Sequence, residues 1–351
     1  MALAFGRRNF TAPHVARAMR VNLGFIPAVW ADAGDVVIVD DVDYAVKAAH
    51  KAGKLDEKVL FLSLTEAAKM MRSGASQHVA IQPWGWDAAL CGQLQRAGVP
   101  LSLLPGEDAL QRIRTWSNRR TAVELLKRVR RQLPDTIGES FYCESLHQVE
   151  ELAGQWSMVV VKAPWSCSGR GIRYMEGAMD DGKKKWIANI ISQQGAVTLE
   201  PFYHKVIDLG MEFTACQDGT VQFDGLSLFH TENGAYMGNL ISTEQRKRER
   251  LEKYVSSELL DLTAAILKKE LASLFQGQYV GPLGIDMMVV AQEGRFLLHP
   301  LVEMNLRRTM GHMALAFKPS PLEPERMMRV RDNVNFELQV KQLENAFVKV
   351  L

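Results

Sequence analysis

The sequence predicts an α/β chain, with a doubly wound parallel sheet over residues 1–113 and a strand-rich lobe of α+β character toward the C-terminus. Three observations support this. Short apolar runs alternate with helical patterns in the first part of the chain, which is the mark of a parallel sheet. An apolar hairpin pattern runs from Pro282 to Asn305. A chain of 351 residues with 47% hydrophobic content can bury a core of several lobes.

Taken in order, Asn9, Phe10 and Thr11 precede a helix starting near Pro13, with Thr11 as its expected N-cap and all three as candidates to line a cleft. Asp35–Val39, Val59–Leu62 and His78–Ile81 read as strands, and Tyr44–Ala52 and Thr65–Ser73 as helices between them. Pro83-Trp84-Gly85-Trp86-Asp87 follows the third strand directly, where ligands bind in such sheets, so it is a candidate substrate wall. Residues 111–131 read as one basic helix, and Gln194 to Leu228 as strand-rich. Phe229 to Asn239 reads as a polar glycine-containing loop over the site, and Glu244 to Leu274 as a long helix with a charged start. The tail after Pro319 carries two more prolines and then an alternating apolar end. There is no internal repeat. These features divide the chain into 1–113, 114–198 and 199–351.

The net charge of +2 gives no bulk electrostatic case for nucleic acid or membrane. The basic stretch 111–131 lacks the interleaved aromatics of an RNA-binding face. Cys91, Cys143, Cys167 and Cys216 lie far apart with no Cys-x-x-Cys spacing, as expected of reduced thiols in the cytoplasm. No apolar run approaches membrane-spanning length, and residues 1–20 lack a signal-peptide core.

The chemistry-bearing pattern is Glu303-Met304-Asn305-Leu306-Arg307-Arg308, read with Asp286. On a strand, Glu303 and Asn305 point to one face. The turn-like Gln292-Glu293-Gly294 could fold Asp286 back beside them. Three oxygen donors at a sheet edge suit Mg²⁺, which takes one or two carboxylates plus phosphate oxygens and water. Arg307 and Arg308 add fixed positive charge for an anionic group.

Upstream, the strand Met158–Val161 ends in Lys162, and a turn containing Ser166, Ser168, Gly169 and Arg170 follows. Lys162 can reach phosphate oxygens, and small residues let backbone N–H groups approach them. Glu200-Pro201-Phe202-Tyr203 places a carboxylate and backbone groups for an adenine edge, with Phe202 and Tyr203 as walls. Asp208 or Glu212 could accept from ribose hydroxyls. Gly177 to Lys184 nearly spells a P-loop but ends in Lys instead of Ser or Thr and follows what reads as a hairpin arm, so it is set aside. His299 and His312 show no metal-binding spacing and read as structural.

These segments, in this order, resemble the ATP-grasp superfamily from about Trp116 to Phe317. The carrying features are the Lys162 strand with its Ser/Gly loop, the Glu200-Pro201 hinge, Gly284-Ile285-Asp286 and Glu303-x-Asn305-x-Arg307. The resemblance implies that Lys162 binds the α/β-phosphates, Glu200 and the next backbone groups the adenine, and Asp286, Glu303 and Asn305 the Mg²⁺. Two ions are expected, and Mn²⁺ could substitute. Arg307 would contact phosphate or a substrate carboxylate. Where the family carries a further lysine, this chain has Arg119 or Arg120, which the sequence does not separate; Arg120 stands among the nucleotide-binding candidates.

The implied reaction activates a carboxylate as an acyl phosphate, which an amine then attacks, releasing ADP and phosphate. Arg307, Arg308 and Lys162 would be the catalytic groups, and the Ser166–Gly171 loop would close as a lid. The partners would be a small-molecule carboxylate and an amine, and a homodimer fits the family. A small-molecule kinase and a nucleotide-binding regulatory protein without turnover are the alternatives. On this reading Glu303→Ala abolishes turnover with the fold intact.

Overall fold

The computed structural model describes residues 2–52, 59–73, 79–166, 171–232, 235–332 and 335–343. In the N-terminal part, β1 (Val36–Val39) and β2 (Leu60–Ser63) run parallel, with Val36 opposite Leu60. The helices Val42–Lys51 and Leu64–Arg72 follow them, as the alternation predicts. Asp41 caps the first helix by accepting from the Tyr44 N–H, and Ser63 with Glu66 forms a capping box on the second.

Two local expectations fail here. Residues 79–81 form no strand, so the parallel sheet has two strands among the described residues; Ala80 is exposed and has no neighbouring strand to pair with. Thr11 does not cap the first long helix, His14–Leu23, because Pro13 occupies the cap position and no side chain caps it.

The basic stretch forms two helices, Glu107–Trp116 and Arg119–Gln132. Asn118 interrupts the run and accepts from the Arg120 N–H at 2.8 Å, which starts a new helix on a new axis. A four-stranded antiparallel sheet follows: β3 (Phe141–Cys143), β4 (Met158–Lys162), β5 (Ile172–Glu176) and β6 (Val197–Pro201), in the order β3–β6–β4–β5. One face buries Val159, Val161, Val197 and Leu199 against Val149 and Ile187 of the helices Leu146–Ala153 and Asp181–Gln194. By alternation, Val160, Lys162, Thr198 and Glu200 share the other face. The near-P-loop segment lies after β5, an antiparallel hairpin arm, as the sequence reading holds.

The larger sheet has seven strands: β7 (Lys205–Ala215), β8 (Val221–Glu232), β9 (Ala235–Ile241), β10 (Gly281–Gln292), β11 (Arg295–Asn305), β12 (Arg326–Asp332) and β13 (Phe336–Gln342). Their order is β11–β10–β7–β8–β9–β12–β13, with all neighbours antiparallel. Phe213, Leu226, Leu283 and Ile285 bury one face against Leu125 and Val129 of the helix Arg119–Gln132 and against Leu267, Leu271 and Phe275. A second core joins the N-terminal part to this lobe, with Phe25, Val37 and Phe61 meeting Met313, Phe317 and Met328.

Two further corrections concern this lobe. The segment 229–239 is not a loop: its described residues belong to β8 and β9. The helix expected over 244–274 is two, Glu244–Leu251 and Ser257–Phe275, the second capped by Ser256. The tail supplies β12 and β13 and so widens the sheet. No described helix is long and apolar enough to cross a membrane. Helices and strands combine as the α/β class with an α+β C-terminal lobe requires.

Candidate active site

The β10–β11 hairpin sets the acidic residues. Glu293 and Gly294, with φ of 50° and 75°, make the tight turn whose twist matches the flanking strands. The resulting register puts Asp286 directly opposite Glu303 and Gly284 opposite Asn305. The Asn305 amide donates to Asp286 Oδ2 at 2.9 Å. Burial comes first among the causes that push the Asp286 carboxyl up to about 7, helped by the charges of Glu303 and Glu212. For Glu303 burial also pushes up, but Arg119, Lys162 and Arg307 outweigh it and hold the carboxyl below its ordinary value.

Lys162, at the end of β4, donates to Glu200 Oε2 at 2.6 Å, and both residues are 6% exposed. Ser140 donates to the other Glu200 oxygen at 3.2 Å. The Glu200 carboxylate is therefore engaged by a lysine and a hydroxyl. Lys162 is buried toward the cleft, and its field reaches both Glu303 and His299.

The choice between the two arginines is visible. Arg119 is buried and donates to Glu303 Oε1 at 2.8 Å, to Ser166 Oγ at 2.7 Å and to the Ala163 carbonyl. It thus ties the loop after β4 to the acidic strand. Arg120 corrects the sequence reading: it points to solvent, pairs with Glu124 at 3.2 Å and lies over the Tyr142 ring. Successive helical residues point about 100° apart, so only one of the two can face the cleft. Ser168, Gly169 and Arg170 lie outside the described residues.

Phe202 packs edge-on against Tyr174 and His204. Tyr203 accepts from the Glu139 N–H at 2.9 Å and meets His299 edge-on; burial pushes its phenol up to about 12. Asp208 is held by Lys205 at 2.6 Å and by the Thr231 hydroxyl at 2.7 Å.

Arg307 lies against Gly85, where a Cβ would come within 2.7 Å of the Arg307 Cβ. The Arg308 N–H donates to the Trp84 carbonyl at 2.7 Å, and its guanidinium sits 4.6 Å from the centre of the Trp30 ring. The turn 83–87 thus stands beside the two arginines. Asn9 and Phe10 do not join it: Asn9 accepts from Arg96, and Phe10 stacks on Phe5.

Two buried histidines carry more than the sequence suggests. His299 is 1% exposed, and neither ring nitrogen has a hydrogen-bond partner among the described residues. Burial, then the charges of Lys162 and Arg130, lower it from 6.5 to about 3. An unfolded chain protonates this ring near 6.5 while the folded one resists, so its contribution to stability is complete above that pH and is lost as pH falls toward about 3. His299→Leu is expected to flatten the fall in melting temperature between about pH 6.5 and about pH 4. An unchanged acid limb in thermal scans would count against that account.

His312 contacts Glu212, Nδ1 to Oε2 at 2.9 Å, and Glu212 shares a cross-strand row with Gly284 and Asn305. Gly311 makes this possible: a Cβ there would lie 1.8 Å from Glu212 Oε1 and 2.5 Å from Ser227 Oγ. Gly311→Ala is accordingly expected to destabilise by about 1–3 kcal/mol, read from denaturant unfolding, and to turn Glu212 away from the cleft. Neither Glu212–His312 nor Arg119–Glu303 has a local sequence signal, because each joins residues about a hundred or more positions apart.

Among the described residues no three or more His, Cys, Asp and Glu side chains converge as a metal cage. The set here is two carboxylates and a carboxamide. It fits Mg²⁺, which binds through few protein ligands and completes its shell from phosphate and water, and a dication would relieve the repulsion that raises Asp286.

No family model and no curated protein matches the chain. Among solved structures, the biotin carboxylase domain of Hydrogenobacter thermophilus 2-oxoglutarate carboxylase, in complex with MgADP, ADP and bicarbonate, is 11% identical with a TM-score of 0.46, over 82% of this chain and 61% of that one. Campylobacter jejuni biotin carboxylase is 12% identical with a TM-score of 0.44, over 83% of this chain and 62% of that one. Staphylococcus aureus N5-carboxyaminoimidazole synthetase, complexed with ADP, is 10% identical with a TM-score of 0.41, over 83% and 69%. The chain therefore spans less than two thirds of the length of the first two. At these identities and TM-scores the likeness fixes neither an activity nor a substrate for this chain.

Proposed function

We propose that the chain is an ATP-grasp ligase that activates a carboxylate with ATP and joins it to an amine, forming a carbon–nitrogen bond. The observation that carries this reading is the pairing of Asp286 with Glu303 in register, with Arg119, from the helix packed on the same sheet, and Lys162, from the four-stranded sheet, directed at the same place. A triphosphate needs that combination: cations for its oxygens, and carboxylates for the ion that accompanies it. In this reading residues 1–113 wall the substrate site, 114–198 cover the phosphates, and 199–351 hold the metal and adenine.

Lys162 and Arg119 exchange Glu200 and Glu303 for phosphate oxygens when nucleotide enters. Ser166 and the backbone beside it lie against the phosphates, and the hinge at Glu200, Phe202 and Tyr203 borders the base. Asp208 faces the ribose. Asp286, Glu303 and Asn305 would hold Mg²⁺, which would supply charge neutralisation for the triphosphate. Arg307 and Arg308 orient the carboxylate and stabilise the charge on the transferring group. The carboxylate oxygen attacks the γ-phosphorus, ADP leaves with the electron pair of the broken P–O bond, and the acyl phosphate remains. The amine then attacks the acyl carbon, and inorganic phosphate departs. Closure around the site keeps water from the acyl phosphate.

The test incubates the protein with MgATP, pooled proteinogenic amino acids and small carboxylic acids, and hydroxylamine. ADP, free phosphate and hydroxamate should appear together, with the hydroxamate identified by mass. A phosphorylated product without free phosphate would make the protein a kinase, and no nucleotide turnover in any pool would leave it a binding protein.

A further inference from the structure

Arg119 binds two parts of the protein at once. On one side its guanidinium donates to Glu303 Oε1 at 2.8 Å, on the strand that carries the acidic residues. On the other it donates to the Ala163 carbonyl and to Ser166 Oγ, the latter at 2.7 Å, in the segment that follows β4. Its backbone N–H adds a bond to the Pro164 carbonyl at 3.1 Å. The side chain is buried, so little water competes for these charged hydrogen bonds.

The segment after β4 is fastened at every step. The Trp165 indole donates to the Arg114 carbonyl at 3.0 Å, and its ring lies 4.3 Å from the Arg114 guanidinium. The Trp165 N–H donates to Gln194 Oε1 at 3.0 Å. Ser166 packs on Gly171, where a Cβ would come within 2.3 Å of the Ser166 Cβ. The Gly171 carbonyl accepts from the Ala163 N–H at 2.8 Å. Residues 163–166 and Gly171 thus form one packed unit, and Arg119 joins that unit to Glu303.

Glu303 cannot serve a guanidinium and a divalent cation equally well. The two would be like charges at short range on one carboxylate, and the burial of Arg119 leaves little solvent to screen them. A polyphosphate removes the conflict, because its oxygens offer the guanidinium another anionic acceptor. Glu303 is then released.

We propose that Arg119 is a latch, which in the nucleotide-free protein holds Glu303 against the segment after β4 and keeps a divalent cation off the acidic hairpin until a polyphosphate draws it away. The proposal rests on the nucleotide and metal reading above and adds an order to it. The cation enters with the nucleotide or after it, and residues 163–166 respond in the same step. Arg119 acts on the cation through Glu303 and is a positioning residue toward it.

The experiment follows Mn²⁺ binding to the nucleotide-free protein by electron paramagnetic resonance, which involves no turnover. Arg119→Met removes the charge and is expected to bind Mn²⁺ about tenfold or more tightly than wild type. Adding Glu303→Gln to that variant should abolish the gain. Equal affinity in wild type and Arg119→Met overturns the proposal, and so does a gain that survives Glu303→Gln. Where Arg119→Met fails to fold, hydrogen exchange of the wild-type segment 163–166 decides. The ATP analogue AMP-PNP, added in chelator, should change that exchange, and Mn²⁺ alone should leave it as it is. A response to Mn²⁺ alone, or AMP-PNP that binds by calorimetry without changing the exchange, overturns the latch. AMP-PNP that binds neither with Mg²⁺ nor without it would remove the nucleotide reading itself.

Discussion

Glu303→Gln is expected to lower ATP turnover by roughly 10³-fold or more, about 4 kcal/mol of transition-state stabilisation, with little change in melting temperature. The amide retains an oxygen for the Arg119 guanidinium, which now donates to Glu303 at 2.8 Å. It removes the charge that pairs with Asp286 across the hairpin. Glu303→Ala is a different experiment. It leaves Arg119, 6% exposed, without its carboxylate, at a cost of about 1–3 kcal/mol. The sequence by itself suggests that the alanine variant keeps its fold undisturbed; the contact with Arg119 shows why glutamine is the cleaner probe. Steady-state phosphate release and thermal melts on both variants separate the effects. Wild-type turnover in Glu303→Gln would remove Glu303 from the metal set.

The hairpin was readable because two local signals agree. Period-two alternation gives each strand a core face, and a two-residue turn with a glycine fixes the register to the residue. Lys162 was readable for a similar reason, as the polar end of a β-branched strand. The N-terminal sheet was overread: Val79-Ala80-Ile81 has strand composition, but composition supplies no partner strand. The segment 229–239 was underread in the opposite way. Ser227 and Asn239 are buried and hydrogen-bonded to each other at 2.7 Å, and Tyr236 donates to Asn239. A strand that lines a polar cleft loses the apolar alternation by which strands are recognised. The broken helices were missed because their caps, Asn118 and Ser256, are single residues inside helix-forming runs.

Distance along the chain hid the rest. Arg119 meets Glu303 because the helix Arg119–Gln132 packs on β11, and it also donates to Ser166 after β4. Adjacent arginines on that helix are equivalent in sequence, and only the position of the Ala163 carbonyl and Glu303 distinguishes them. Glu212, Ser227 and His312 are brought together by strand pairing and by the absence of side chains at Gly284 and Gly311. Each glycine reads as an ordinary turn or strand residue until its neighbour is known.

Lys162→Ala is expected both to abolish nucleotide binding and to destabilise the protein, by about 3–5 kcal/mol. Lys162 and Glu200 are each 6% exposed and joined at 2.6 Å, so removing the lysine leaves a buried carboxylate with, among the described residues, only the Ser140 hydroxyl. Loss of binding in that variant could then be a consequence of misfolding alone. The double variant Lys162→Met with Glu200→Gln separates the two effects. It replaces a buried ion pair with neutral groups of similar volume, an exchange that is commonly neutral or stabilising. Its melting temperature should return to near wild type. Affinity for MgATP, measured by calorimetry, should stay lost, because no thioether or amide supplies the positive charge that the phosphates require. Recovery of both stability and affinity in the double variant would show that the lysine serves the fold and leaves the nucleotide to other groups.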